Sequence, residues 1–273
     1  TGVQTCALPI CGCALNSAAM MSHFHLPVTL AGNDVGSDDS GRKILDYLSK
    51  FQISHRLNQQ TSVTTPFCQC LVDQSSGARS FLLAHQSINE YSSESLNRLI
   101  NEVHTGIFSH AFIQTYQEAM SRQFLESVQE TDLWILSQDR KPREDCVSLV
   151  NCMQVSWSEQ EGQRPHDELF ARAQEYFRGR CTQVLATCGS AGAFLFEQSG
   201  KIHWQKAFVV TAKDTTGCGD AFRAGFLTGL YQNLGFARCL ELGALAGAFK
   251  AQRMGSHVLT SLDEIKTYFA NQM

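Results

Sequence analysis

The segment "DTTGCGDAFRAGF", residues 214–226, combines residue types that suit chemistry on a phosphate. Gly217 and Gly219 flank the small Cys218, so backbone amides can approach an anion without obstruction by large side chains. The residues that follow predict an apolar helix beginning near Cys218, and the unpaired amides and dipole of a helix start favour a negatively charged ligand. Asp220 would then lie in the first turn, where it could accept a proton from a hydroxyl nucleophile.

The same residues would also suit an ordinary helix start. Glycines allow the turn, and an aspartate in the first turn interacts favourably with the helix dipole. The segment is not a Walker A loop, and Phe222 stands where a dinucleotide fingerprint needs its third glycine. Composition alone therefore leaves the catalytic and the structural interpretation open.

The composition of the whole chain restricts the kind of partner. The chain has 273 residues, 43% of them hydrophobic and 18% charged, which is the balance of a globular protein. A net charge of -4 gives no basic footprint for nucleic acid, and no apolar run is long enough for a membrane span. Eleven scattered cysteines are typical of reduced thiols. We therefore expect a cytoplasmic protein whose partners are small molecules.

The order of predicted elements indicates an α/β domain. Residues 26–32 predict a buried strand, and residues 42–51 have apolar positions at helical spacing. Two β-rich runs within residues 61–84 predict a hairpin that stands off the core. Strands and helices then alternate, with "CVSLVNCMQVS" (146–156) read as a strand, and the final third is largely helical. This alternation predicts a mostly parallel sheet, whose ligands gather at the carboxyl ends of its strands.

The segment "DTTGCGDAF" is similar to the D-T-x-G-x-G-D-x-F signature of the ribokinase-like, or PfkB, family of carbohydrate kinases. Four further segments resemble family motifs in the same order along the chain: "GCALNSA" (12–18), "VGSDDSGRKIL" (35–45), "TCGSAG" (187–192) and "GSHV" (255–258). The resemblance covers the chain from Gly12 onward. It implies a three-layer α/β/α fold with a mostly parallel central sheet and a small β lid.

The resemblance also implies an activity, which is ATP- and Mg²⁺-dependent phosphorylation of a hydroxyl on a small sugar or sugar derivative. By the same resemblance, Asp220 would be the catalytic base and the amides of Gly217, Cys218 and Gly219 the anion hole. The residues beside the nucleotide would be Thr187, Gly189, Gly192, Asp214, Thr216 and Gly255. The residues beside the substrate would be Gly12, Asn16, Asp38, Arg79 and Arg143. Glu159 would lie near the magnesium ion, and K⁺ is a further candidate near Asp214 and Thr216.

Three of these assignments have structural alternatives. Asp38 could instead cap the helix that follows it, and Glu159, which keeps the acid of the family's N-x-x-E motif while Ser156 replaces the asparagine, could be a first-turn acid. Arg143, in "DRKPR", could be an exposed loop residue.

The chain departs from the family pattern at its start. The first ten residues, "TGVQTCALPI", lack the regions of a signal peptide and resemble a translated sequencing adapter, and Cys11 occupies the place of the first glycine of the sugar motif. The family's first strand, with an aspartate that contacts the sugar, normally precedes this point. We therefore predict a non-native leader at residues 1–11 and an N-terminally truncated kinase domain at residues 12–273.

Residues 61–84 are predicted to be the lid, and Arg79 lies in a G-x-R-x-F pattern that resembles the family's lid. Lids of this family can pair across a homodimer. Two alternatives remain open at this stage: a nucleoside or vitamin kinase of the same fold, and a non-catalytic protein that binds a sugar or nucleotide.

Overall fold

A computed structural model of the chain describes residues 3–6, 12–32, 34–66, 68–73, 79–83, 92–114, 118–138, 144–256 and 259–271. The helices are α1 (Cys13–His23), α2 (Asp39–Lys50), α3 (Ser93–His104), α4 (Glu118–Ser127), α5 (Glu144–Val147), α6 (Glu159–Gly162), α7 (His166–Ala173), α8 (Cys218–Tyr231), α9 (Phe236–Ala251) and α10 (Leu262–Ala270). The strands are β1 (Val3–Cys6), β2 (Thr29–Leu30), β3 (Val35–Gly36), β4 (Ser54–His55), β5 (Gln59–Gln60), β6 (Cys68–Asp73), β7 (Arg79–Leu83), β8 (His110–Gln114), β9 (Trp134–Gln138), β10 (Cys152–Ser156), β11 (Gln183–Thr187), β12 (Ala193–Glu197) and β13 (Ile202–Gln205).

The central sheet has six strands in the order β13-β12-β11-β10-β9-β8. Strands β8 to β11 are parallel to one another, whereas β12 and β13 continue the sheet with antiparallel pairing. The four parallel strands therefore end at one edge of the sheet, at Gln114, Gln138, Ser156 and Thr187. The prediction of a mostly parallel sheet is confirmed.

Alternate residues of the strands face two different layers of helices. Ile135 of β9 packs with Val103 of α3 and Leu125 of α4. Its neighbour Leu136 points to the opposite face, where it joins a cluster with Phe226 of α8 and other residues of α8 and α9. Because successive side chains of a strand point to opposite faces, a sheet that buries both must lie between two helical layers. The predicted α/β/α class is confirmed.

A separate three-stranded antiparallel sheet contains the hairpin predicted within residues 61–84. Strands β6 and β7 pair in the register Cys68↔Leu83 to Val72↔Arg79. Strand β1 pairs with the other side of β6. Four residues of the predicted non-native leader thus belong to this sheet, and the origin of residues 1–11 stays a prediction.

Two predicted strands differ from the structure. The strand expected over residues 26–32 is reduced to Thr29–Leu30, which is half-buried and pairs with β4. The run at residues 146–156 was expected to be one strand, but α5 ends at Val147 and β10 begins at Cys152. A short apolar run fits a buried helical turn as well as a buried strand, and here Cys146 and Val147 pack into the core from a turn of helix.

Glycines bring α8 and α9 close together. A Cβ added at Gly225 would lie 2.4 Å from the carbonyl oxygen of Leu242, and one added at Gly243 would lie 2.8 Å from the carbonyl oxygen of Phe222. The two helices therefore pack with their backbones in contact. On the sheet side, Phe226 of α8 packs in one cluster with Leu136 of β9 and Leu185 of β11. Within the described residues, no helix is both long and apolar enough to cross a membrane.

Asp38 caps α2 and also holds a neighbouring loop. Its Oδ1 accepts hydrogen bonds from the amide of Gly41 (2.8 Å) and the hydroxyl of Thr65 (2.7 Å), and its Oδ2 accepts one from the amide of Thr65 (2.7 Å). The Thr65 amide, followed by that of Gly41, lowers the pKa of the Asp38 carboxyl against the opposing effect of burial. The structure therefore shows the capping role; contact with a substrate stays a prediction.

We expect Asp38→Ala to lower the free energy of unfolding by about 1–2 kcal/mol at pH 7, the usual effect of losing an N-cap. The folded pKa of Asp38 lies below its ordinary value, so this stabilisation is complete above that ordinary value and is lost as the pH falls through the folded pKa. Urea unfolding at pH 7 and at pH 3 would measure the difference at each pH. The control is Asp39→Ala, whose side chain is 82% exposed. Equal losses in the two variants would contradict the capping role.

Candidate active site

The glycines at the start of α8 differ in their surroundings. Gly217 is the N-cap and has a left-handed φ of +79°, and a Cβ added there would lie 1.7 Å from the carbonyl oxygen of Ser256. A Cβ added at Gly219 would meet no protein atom within 4 Å. Gly217 is therefore required by the fold, whereas Gly219 borders open space that a ligand can enter.

The amide of Cys218 already has a partner. It donates to the carbonyl oxygen of Thr215 at 3.2 Å. Of the three amides predicted to form an anion hole, this one would have to share that bond or give it up when an anion binds. The first turn of this 14-residue helix still presents its N-terminal dipole to the same space.

Asp220 lies in that first turn and is only 7% exposed. Its Oδ2 accepts a hydrogen bond from Asn16 Nδ2 at 2.8 Å, and its Oδ1 accepts one from Arg223 Nη1 at 3.1 Å. Its carbonyl oxygen accepts a third bond, from the hydroxyl of Ser17 at 3.2 Å. The structure thus brings together the predicted base and the predicted sugar residue Asn16, which are 204 positions apart in the chain. A carboxylate has roughly four acceptor sites, so these bonds leave room for a bond from a substrate hydroxyl.

Arg223 is a site residue that the sequence interpretation missed. Its side chain is fully buried, and its guanidinium carbon lies 3.8 Å from the ring centre of Phe112. Its hydrogen-bond acceptors are Gln154 Oε1 (2.7 Å), Ser17 Oγ (3.0 Å), Asp220 Oδ1 (3.1 Å) and the side-chain oxygen of Gln138. Burial lowers the pKa of Arg223, and the charge of Asp220 opposes that shift. The available signal was an arginine inside an apolar helix, one turn after the predicted base.

Cys13 is a second residue at the site that was not predicted. Its thiol interacts with the side chains of Asp220 and Gln114. Burial, and next the negative charge of Asp220, raise the pKa of this thiol above its ordinary value of 9.0. The thiol is therefore protonated at neutral pH and is a weak nucleophile.

The predicted nucleotide residues of the "TCGSAG" segment lie where β11 ends. The hydroxyl of Thr187, the last residue of β11, is 3.4 Å from that of Ser156, the last residue of β10. Gly189 and Gly192 have positive φ values of +55° and +100°, and a Cβ at Gly192 would lie 2.2 Å from the carbonyl oxygen of Gln205. These glycines allow a tight turn at the edge where the parallel strands end.

Glu159, the predicted magnesium residue, lies beside this turn. Its Oε1 accepts a hydrogen bond from the amide of Ser190 at 3.3 Å. In the part of the chain that the structure describes, no group of three or more His, Cys, Asp or Glu side chains could hold a metal. A single carboxylate nevertheless fits Mg²⁺ in phosphate-transfer sites, because that ion keeps several waters and binds substrate phosphates.

The structure also brings together Asp214, Thr216 and Gly255. The carboxylate of Asp214 accepts hydrogen bonds from the amides of Thr216 (2.8 Å) and Gly255 (3.0 Å). Burial raises the pKa of Asp214, but these bonds and the charge of Lys250 outweigh burial and lower it. Asp214 therefore joins the segment before α8 to the loop after α9.

The structure describes only part of the remaining residues that were predicted to contact the substrate. Gly12 is exposed at the N-cap of α1, and a Cβ added there would meet no atom within 4 Å. Arg79 begins β7 opposite Val72, and its side chain lies outside the described part of the structure. Arg143 lies outside the described residues altogether.

A sequence model of the pfkB family of carbohydrate kinases matches residues 3–261. A ribokinase from Haemophilus influenzae is 30% identical over 118 residues, which are 41% of this chain and 38% of that protein. The chain thus spans less than two fifths of the curated relatives it matches.

Solved structures share the fold. A ribokinase from Giardia lamblia has a TM-score of 0.81 at 16% identity, covering 95% of this chain and 88% of that one. A ribokinase from Arabidopsis thaliana, complexed with ribose and ATP, has a TM-score of 0.75 at 20% identity, covering 94% of this chain and 86% of that one.

Gly217→Ala and Gly219→Ala should have different effects. Alanine at position 217 must adopt a left-handed φ and displace the backbone of Ser256, so we expect a loss of about 1–3 kcal/mol of stability. Alanine at position 219 meets no protein atom, so we expect unchanged stability but at least about tenfold weaker ATP binding, because the methyl group enters the space proposed for the γ-phosphate. Thermal unfolding and titration with a non-hydrolysable ATP analogue would measure the two effects. Unchanged binding of that analogue by Gly219→Ala would contradict an anion site here.

We expect Arg223→Met to lower the free energy of unfolding by about 3–5 kcal/mol, because Asp220 would be left with an uncompensated buried charge. The control is Arg42→Met, an arginine with 58% of its side chain exposed, where the change should be below about 1 kcal/mol. Urea unfolding would measure both. A loss no larger for Arg223→Met than for Arg42→Met would show that the buried pair contributes little.

Proposed function

Because the chain belongs to the pfkB family of carbohydrate kinases, we propose that it transfers the γ-phosphoryl group of ATP to a hydroxyl of a small sugar or sugar derivative. The observation that chiefly supports this proposal is the environment of Asp220. A carboxylate in the first turn of an apolar helix is bonded to Asn16 and borders open space at Gly219. This arrangement supports a proton acceptor, a polar substrate contact and an anion-binding helix start at one place.

Asp220 acts as the base in this proposal. The sugar hydroxyl lies against Asp220 and Asn16, its oxygen attacks the γ-phosphorus of ATP, and its proton passes to the Asp220 carboxylate. The bond between the γ-phosphorus and the bridging oxygen breaks, which releases ADP and leaves the sugar as a phosphate ester. Phosphoryl transfer usually has a loose transition state, so the position of the carboxylate matters more than its basicity.

The start of α8 stabilises the negative charge of the transferring phosphoryl group. The amides of Gly217, Cys218 and Gly219 and the positive end of the helix dipole stabilise the γ-phosphate oxygens. Arg223 does not reach this space, since its guanidinium is fully buried beneath Asp220. It acts instead by holding the Asp220 carboxylate in one orientation.

The nucleotide lies along the edge where the parallel strands end. Thr187, Gly189 and Gly192 contact it from one side, and Asp214, Thr216 and Gly255 shape the loops on the other. Glu159 would hold Mg²⁺ through water, and the ion supplies neutralisation of phosphate charge when it is bound.

The hairpin of β6 and β7, within residues 61–84, is the proposed lid. Closing it would exclude water, which competes with the sugar for the phosphoryl group. Arg79 on β7 would contact the sugar, and Arg143 would face a phosphate. We further propose that two chains form a homodimer through their lids and that the protein is cytoplasmic.

The test is ADP release from ATP and Mg²⁺ across a panel of sugars and nucleosides. For the best substrate, we expect Asp220→Asn to lower kcat by about 10²–10⁴-fold, because the amide cannot accept the proton. The control is Asp263→Asn, whose side chain is 91% exposed on α10 and which should keep full activity.

Other outcomes would contradict parts of the proposal. Undiminished release by Asp220→Asn would rule out its role as base, and release stimulated only by nucleosides would favour a nucleoside kinase. Thermal stabilisation by a sugar or ATP without ADP release would favour a binding protein.

A further inference from the structure

Lys250, in the last turn of α9, has its ammonium group inside the protein. The residue is 0% exposed, and Nζ donates hydrogen bonds to the carbonyl oxygens of Asp214 (2.7 Å) and Arg253 (2.9 Å). Burying an ammonium group is unfavourable unless it is paired and hydrogen-bonded. A fully buried lysine on backbone carbonyls therefore indicates that its charge is needed at this place.

The two carbonyls belong to the two segments that border the proposed phosphate site. Asp214 begins the segment that leads into Gly217 and α8, and Arg253 precedes Gly255 and Ser256, against which Gly217 packs. The Asp214 amide also donates to the carbonyl oxygen of Ala251 at 3.1 Å. Lys250 and the Asp214 carboxylate thus both join these two segments.

Two charged side chains lie in the same region as Lys250. The Asp214 carboxylate interacts with the lysine charge, which contributes to lowering the pKa of Asp214. The guanidinium of Arg253 packs on Phe249, with its central carbon 3.3 Å from the ring centre. The ammonium group of Lys250 thus lies on two backbone carbonyls and interacts with one carboxylate.

These residues do not fit a bound K⁺ ion, which the family resemblance suggested near Asp214 and Thr216. K⁺ is held by oxygens that replace its hydration shell, such as backbone carbonyls. Here the carbonyl oxygen of Asp214 is bonded to an ammonium group, and each carboxylate oxygen of Asp214 already accepts a backbone amide. A second cation would also be repelled by Lys250 at close range.

We propose that the Lys250 ammonium group is a built-in monovalent cation that holds the phosphate-binding segment against the loop after α9. Lys250 is thus a positioning residue, and the enzyme requires no potassium. The inference deepens the proposed function, on which its reference to a phosphate site rests.

The test compares cations. For the native chain, the unfolding temperature and the affinity for ADP should be the same in sodium and in potassium chloride. Lys250→Ala removes the ammonium group that donates to the carbonyls of Asp214 and Arg253, so in sodium chloride we expect about tenfold weaker ADP binding. In potassium or ammonium chloride, the ADP affinity of Lys250→Ala should be at least about threefold higher than in sodium chloride, because either cation can enter the vacated space. The control is Lys266→Ala, a lysine with 37% side-chain exposure, which should show no dependence on the cation.

Two results would overturn the proposal. One is a higher unfolding temperature or tighter ADP binding of the native chain in potassium chloride than in sodium chloride, which can be observed even if Lys250→Ala fails to fold. The other is a Lys250→Ala variant whose ADP affinity is unchanged, or is reduced equally in all three salts. Both readouts need only ADP and the folded chain. Failure to phosphorylate any sugar would therefore contradict the proposed function and leave the cation result intact.

Discussion

The arrangement of the site depends on the buried pair of Arg223 and Asp220. A guanidinium removed from water is tolerated only when its donors are satisfied, and here the acceptors come from α1, α8 and two neighbouring strands. These bonds link α1 and the first turn of α8 to β9 and β10. Parallel sheets generally bind ligands at the carboxyl ends of their strands. The bond from Arg223 holds the Asp220 carboxylate in one defined position there.

Close contacts between backbones also fix the position of α8. The helices α8 and α9 approach until the glycines of one touch the backbone of the other, and Gly217 touches the loop that contains Ser256. Such contacts leave no room for a side chain, so the start of α8 has little freedom to shift. Gly219, one residue into the helix, faces open space instead. One short motif thus uses one glycine to build the fold and another to admit a ligand.

The two segments beside the proposed nucleotide site are joined by charge as well as by packing. Asp214 accepts amides from both segments, and Lys250 donates to carbonyls of both. In the low dielectric of the interior, such bonds are stronger than in water, but each must be satisfied. The segment before α8 is therefore bonded to the loop after α9 through both its carboxylate and its carbonyl.

The sequence by itself determined the fold class, the start of α8 near Cys218 and the family, because these depend on local periodicity and on a contiguous motif. It left Asp38 between two roles, and it joined α5 and β10 into one strand, because spacing does not reveal what an apolar run packs against. Only the tertiary structure decided that Asn16 meets Asp220 and that Arg223 is buried against the proposed base. It also decided that Lys250 donates to one carbonyl of the segment before α8 and one of the loop after α9. These contacts join positions as much as 206 residues apart, and their energies come from burial and hydrogen-bond geometry, which exist only once the chain is packed.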